Sequence, residues 1–199
     1  MKILVVGAHG TIGSGVINEL ADRHEMITAG RTSGDVTVDL TDVDSIRAMY
    51  QKVGNVDAVI ACSGHTKWAS VLEMTAQDYQ FGLDDKLMGQ VNLVLEGIDY
   101  LNDGGSFTLT SGVTDHVPVP MGSSASMVAC ALSGFVMSAA TELPRGIRLN
   151  LVSPGVIEEA MDKYGAFFRG HQPVPASRAA LGYAMSVESK QTGQTFRIV

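Results

Sequence analysis

Three glycines, Gly7, Gly10 and Gly13, stand at three-residue intervals between a continuous apolar run, Ile3–Val6, and a segment in which Ile12, Val16 and Leu20 recur every four residues. The run reads as a strand buried on both faces, and the recurrence lays one apolar stripe along a helix. A strand that passes into a helix this quickly needs backbone freedom at the junction. Gly7 permits the tight turn, Gly10 lets a ligand approach the main chain, and Gly13 lets the helix pack on the strand. The loop Gly7, Ala8, His9, Gly10, Thr11, Ile12 and Gly13 therefore turns free N–H groups toward an anion at the positive end of a helix dipole. At an exposed site that field favours negative charge by about 0.3–1 kcal/mol. The spacing predicts a pyrophosphate, and with it a dinucleotide. A P-loop is excluded, because no Gly-x4-Gly-Lys-Ser/Thr occurs.

Beyond the loop, short β-branched runs alternate with longer helix-period segments, the pattern of a parallel sheet wrapped by helices. Further strands are expected at Met26–Ala29, Val36–Leu40, Ala58–Cys62, Ser106–Thr110, Ile147–Val152 and Thr195–Val199. Helices are expected over Asp42–Val53 with Thr41 as N-cap, from Thr75 to about Leu101 with a break near Phe81-Gly82, over Met121–Leu143, and near Ala176–Val187. Asn102–Gly105 reads as a turn and Val156–Pro175 as irregular chain. The expected fold is one domain, residues 1–199, of Rossmann-like α/β/α layers. Its doubly wound parallel sheet has about seven strands in the order 3-2-1-4-5-6-7.

Composition removes several classes of function. With 45% hydrophobic and 18% charged residues, the chain is of the globular type. A net charge of −7 without any basic run argues against nucleic acid as a partner. No apolar stretch reaches the ~20 residues of a membrane span, and the opening run is too short for a signal peptide. No membrane partner and a cytoplasmic location are expected. Cys62 and Cys130 lie far apart in apolar stretches and read as reduced core residues. No zinc spacing or HExxH occurs, so no metal is expected.

The end of the second strand chooses between coenzymes. Domains that bind NAD place an acid there on the ribose hydroxyls. This chain reads Ala29-Gly30-Arg31-Thr32-Ser33 instead. Arg31 can fork onto a 2′-phosphate, with Thr32 and Ser33 adding hydrogen bonds, so NADP(H) is preferred over NAD(H). Asp35 is a competing acid, but it sits beyond the expected position.

Together these residues resemble the short-chain dehydrogenase/reductase family over essentially the whole chain. Gly7–Gly13 is similar to a shorter-spaced form of the family's glycine motif. Asp39-Leu40 resembles its acidic pair at adenine, and Ala61-Cys62-Ser63-Gly64 stands where its Asn-Asn-Ala-Gly element follows strand four. Ser153-Pro154-Gly155-Val156 resembles the segment that lies against the nicotinamide, and Gly146–Asn150 matches its sixth strand. The resemblance implies a hydride-transferring enzyme with Tyr-x3-Lys on the fifth helix, a serine after strand five and an asparagine on helix four. In such a pair the lysine's charge lowers the phenol's pKa so that a proton can move. The register set by Gly134-Phe135-Val136 and Glu142-Leu143 instead puts Ala125 at the tyrosine and Ala129 at the lysine. Gly112 falls at the serine, with Ser111 beside it, and Lys86 falls at the asparagine. Since Met121–Pro144 contains neither Tyr nor Lys, no shift of register supplies a tyrosine.

Two residues stand as candidates for the missing chemistry. Lys86 becomes a usable acid if desolvation lowers its pKa, and Ser111 sits at the carboxyl end of strand five, where such sheets bind ligands. His65 follows Gly64 next to the expected cleft, whereas His116 reads as loop. Tyr164 lies in the irregular segment, either swinging inward or capping the core with Phe167 and Phe168. Three readings remain open: an NADP-dependent oxidoreductase acting on a small carbonyl or alcohol with a non-standard proton donor, a non-catalytic NADP(H)-binding sensor or scaffold, and a doubly wound domain binding another nucleotide or nothing. Val91, Leu95 and Ile98, with the small residues of Ser123–Ala140, mark two helices for pairing between subunits. The resemblance implies a homodimer or homotetramer.

Overall fold

The computed structural model describes residues 1–199. Seven strands, β1 (Lys2–Val6), β2 (Glu25–Gly30), β3 (Val36–Thr37), β4 (Val56–Ala61), β5 (Leu101–Thr110), β6 (Arg148–Pro154) and β7 (Thr195–Ile198), form one sheet in the order β3-β2-β1-β4-β5-β6-β7. All of its ladders are parallel. The helices are α1 (Thr11–Leu20), α2 (Val43–Val53), α3 (Ala76–Gly82), α4 (Gly89–Gly97), α5 (Ser123–Ala139), α6 (Met161–Tyr164) and α7 (Ala176–Glu188).

Successive side chains of a strand point to opposite faces, and that alternation sorts the core. Leu4 and Val6 of β1 pack with Tyr50 of α2, Leu93 of α4 and Leu132 of α5. Ile3 and Val5, the residues between, pack with Val16 and Leu20 of α1 and Tyr183 of α7. The helical stripe and the two-sided strand read from the sequence are therefore two halves of one layer. The order of strands reverses between β1 and β4, so the loops after these strands part and leave a crevice at the carboxyl edge.

Several boundaries differ from the expectation for local reasons. Asp42, rather than Thr41, caps α2, its carboxylate accepting from the N–H of Asp44, while Thr41 donates to Asp39. β3 keeps only Val36–Thr37, and Asn102–Gly105 belongs to β5 as a slip in its ladder, with Val56 opposite Leu101 but Ala58 opposite Ser106. The helix after Thr75 does not break at Gly82; it widens into a π-helical turn, Leu83–Met88, before α4. α5 is shorter than its apolar pattern, and the segment after β6 contains α6 and a bridge between Ile157 and Val174. Cys130 is exposed and not in the core. It lies on the outward side of α5, one residue round from buried Ala129.

Candidate active site

The crevice opens into a cavity of about 680 Å³ that runs from the glycine loop to the ends of β5 and β6. Gly7, His9, Gly10, Thr11 and Ile12 line its β1 end. Gly7 has φ +82°, and a Cβ there would meet the Cys62 carbonyl oxygen at 2.8 Å. Gly13 stands behind the wall, where a Cβ would lie 2.1 Å from the Gly7 carbonyl oxygen. The N-terminus of α1 receives no side-chain cap and carries no acid in its first turn. Uncapped amides facing a cleft fit a diphosphate, and a carboxylate there would have repelled one.

At the β2 end, Arg31 and Ser33 line the cavity, whereas Thr32, Asp39 and Leu40 lie outside its walls. The Arg31 side chain is 61% exposed and its Nη2 reaches Asp39 Oδ1 at 3.3 Å and Asp85 Oδ1 at 3.5 Å. Asp39 also accepts from the Thr41 N–H and hydroxyl, and these bonds, with Arg31 adding less, hold its carboxyl below the usual range. Asp35 is engaged by the Thr28 N–H and hydroxyl.

Opposite the glycine loop, Cys62, Ser63, Gly64 and His65 form the β4 wall. Burial pushes the Cys62 thiol up to about 12, so it is no nucleophile. Gly64 has φ +115°, and any Cβ there would press on Lys86 at 2.8 Å. That close approach seats the π-helical turn against the β4 loop. π-turns recur at functional sites because the extra residue redirects side chains, and this one carries both Asp85 and Lys86. Asp85 is buried. Its Oδ2 accepts from the His65 N–H at 2.5 Å and lies 3.2 Å from His65 Nδ1.

Lys86, partly buried, lines the cavity and donates from Nζ to the Ser111 carbonyl oxygen at 3.0 Å. Burial lowers its pKa from 10.5 to about 8, and the negative charge of Asp85 offsets a smaller part of that fall. One turn on, buried Gln90 fixes the helix to β5, accepting from the Thr110 N–H at 2.7 Å and donating to the Thr110 carbonyl at 3.0 Å. Ser111 and Ala125 line the same cavity, and Ala129 is buried beneath α5. Pro154, Gly155 and Val156 close the β6 side. His116 lies away from these walls and pairs with Asp115.

Asp85 and Trp68 had no signal in the sequence that marked them. Gln90 sits four residues after Lys86 on a helical stripe, a polar residue turned inward, and that position was the one available clue.

A doubly wound sheet whose switch point opens on an uncapped, glycine-lined helix defines a Rossmann-type nucleotide-binding protein. The chain belongs to the short-chain dehydrogenase/reductase family: a family model described as Enoyl-(Acyl carrier protein) reductase matches residues 4–192. It is similar to a hydroxynaphthalene reductase of Aspergillus fumigatus, 26% identical over 188 residues that span 82% of this chain and 69% of the relative. An uncharacterized oxidoreductase of Methylorubrum extorquens is 31% identical over 113 residues, 56% of this chain, and the match spans only 46% of that relative. Among solved structures, the protein lin1944 of Listeria innocua superposes with a TM-score of 0.98 at 49% identity, with all of both chains covered. A small-chain dehydrogenase crystallised with NADPH superposes with a TM-score of 0.88 at 26% identity, covering 100% of this chain and 96% of that one. No helix is long and apolar enough to cross a membrane.

Proposed function

We propose that the chain is an NADP(H)-dependent oxidoreductase that reduces a small carbonyl, or oxidises the matching alcohol, with Lys86 as its proton donor and acceptor. The observation that carries this reading is Lys86 Nζ in the cavity wall beside Ser111, with a pKa lowered to about 8. Ala125, in the same wall, holds no proton to give.

The uncapped amides of Thr11 and Ile12 would hold the diphosphate, and Arg31 with Ser33 the 2′-phosphate. The small-chain dehydrogenase that contains NADPH supports this choice of coenzyme. A bound nicotinamide would supply the hydride that the carbonyl carbon takes up. The Lys86 ammonium gives its proton to the carbonyl oxygen, leaving an alcohol and a neutral amine, which bulk water reprotonates. The Ser111 hydroxyl, which makes a long 3.4 Å bond to the Val152 carbonyl oxygen, would turn from it to orient the substrate carbonyl. In the oxidising direction the neutral amine takes the alcohol proton. A lysine of ordinary pKa would stay charged near neutrality and serve only the first direction.

The second reading, a dinucleotide-binding sensor or scaffold without turnover, is favoured by Ala125 and Ala129 together. Fluorescence titration with NADPH and NADH, followed by a carbonyl screen read as NADPH consumption, separates them. Tight NADPH binding with turnover supports the enzyme. Tight binding with no turnover on any carbonyl supports the sensor. Equal or tighter NADH binding removes the role given to Arg31. We also infer a homodimer or homotetramer through α4 and α5, where Leu95, Met127 and Met137 lie exposed.

A further inference from the structure

Resting on the reading of the cavity as a reductase site, we propose that its substrate end is built for a planar aromatic carbonyl, an aryl or fused-ring ketone. Trp68 is the only tryptophan in the chain, and it lines the cavity together with Tyr164 and Phe168 from the segment after β6. The Trp68 ring lies 5.5 Å from Tyr164 and 5.7 Å from Phe168, with planes tilted by 54° and 50°. Phe167, which is not part of the wall, stacks on Trp68 from outside at 5.2 Å with planes 25° apart.

The indole is also fixed from a third direction. Gly122, just before α5, approaches so closely that a Cβ there would lie 3.2 Å from Trp68 Cζ3. Two segments distant in sequence thus clamp a side chain of the loop after β4: the entry to α5 and the chain after β6. Lys163 sits 5.0 Å over the Tyr164 ring. Val113 and Val156 add apolar wall beside the rings, while Thr66, Thr114, Glu159 and Asp162 line the same cavity with polar groups.

A wall of aliphatic side chains accepts any apolar body of the right volume. A wall of mutually tilted rings offers edges and faces at spacings suited to a flat π system. The groups that would meet the carbonyl oxygen, Lys86 Nζ and Ser111, line the same cavity. The aromatic body would lie against Trp68 while its carbonyl faces Lys86.

The test uses the full chain saturated with NADP+, so that no turnover occurs, and follows ketone binding by calorimetry. The probes are 1-(naphthalen-2-yl)ethanone and its fully saturated decalin counterpart, which share a carbon skeleton and differ in the π face. The aryl ketone should bind at least about five-fold tighter, and Trp68→Leu should bring the ratio to within about two-fold at unchanged NADP+ affinity. Tyr164→Leu, at a less enclosed position, gives the same readout where Trp68→Leu fails to fold. Equal binding of the two ketones, binding of neither, or a ratio untouched by these substitutions overturns the proposal while leaving the coenzyme site intact. Failure to bind NADP+ strikes the reading of the cavity instead. The ketone arm, repeated without NADP+, then judges the aromatic wall by itself under the same two criteria.

Discussion

The two ends of the cavity are made of different materials. The end proposed for the coenzyme is backbone: glycine loop, uncapped helix and the Pro154-Gly155 turn, with side chains contributing little beyond Arg31 and Ser33. The end proposed for the substrate is side chain: Lys86 from a π-turn, Ser111 just after β5, Ala125 from α5, Trp68 from the loop after β4 and Tyr164 from the end of α6. Backbone sites tolerate almost no change at their glycines. Side-chain sites can exchange one chemistry for another on an unaltered frame, as Ala125 and Lys86 together suggest. The contrast makes graded predictions.

The largest effect belongs to the backbone end. Gly13→Val puts a Cβ where the Gly7 carbonyl oxygen lies 2.1 Å away. The loop must open or α1 must lift off β1, at a cost of about 4 kcal/mol or more. Chemical denaturation should show that loss, and NADPH titration should show no binding. A valine variant that unfolds at the parent's midpoint would sink the packing argument.

Next in size is Lys86→Met. Removing a general acid costs about 10²–10⁴-fold in turnover, and NADPH affinity should hold within about threefold. The wild-type pH profile carries the sign. Reduction needs the ammonium, so its rate should fall as pH rises through about 8, while alcohol oxidation needs the neutral amine and should rise over the same interval. A reduction rate that stays flat to pH 10 would remove Lys86 from the proton path.

Arg31→Ala comes third. A hydrogen bond to a charged group is worth about 1.5–3 kcal/mol, but this guanidinium is mostly exposed and already shared between Asp39 and Asp85. The lower end applies, so NADPH affinity should fall about tenfold with NADH affinity unmoved.

This ranking follows what was legible in the sequence. The strands and the two buried faces of β1 could be read because apolar periodicity records burial directly, and Gly7–Gly13 recorded a backbone requirement; the strand order followed from the doubly wound fold these features share, not from periodicity. Helix ends were blurred where a neighbour captured the cap: Thr41 turned back to Asp39 and left α2 to Asp42. The substrate end was harder for a physical reason. Lys86 and Ser111 are 25 residues apart and meet only because Gly64 admits the π-turn and Gln90 ties it to β5. Asp85 gave no sign, since an acid in a helix with period-matched neighbours reads as solvated surface. Cys130 misled in the opposite sense, an apolar neighbourhood in sequence that faces outward in space.

The smallest predicted effect tests whether the two ends communicate. The Asp85 side chain is 7% exposed and lies between Arg31 and His65, immediately before Lys86. Its charge draws the Lys86 pKa upward against burial. Asp85→Asn keeps an oxygen for the His65 N–H and removes the charge. With that charge gone, desolvation acts on Lys86 unopposed, and the alkaline fall of the reduction rate should move to lower pH. Arg31 is at the same time released from one carboxylate, so NADPH should bind about two- to threefold more tightly, a modest gain because the guanidinium remains in solvent. The two shifts have independent readouts, a pH–rate profile and a binding titration, and both follow from one charge. An alkaline limb that moves upward would break the link between Asp85 and Lys86, and NADPH affinity that falls with NADH affinity unchanged would show that Asp85 holds Arg31 in place instead of competing for it.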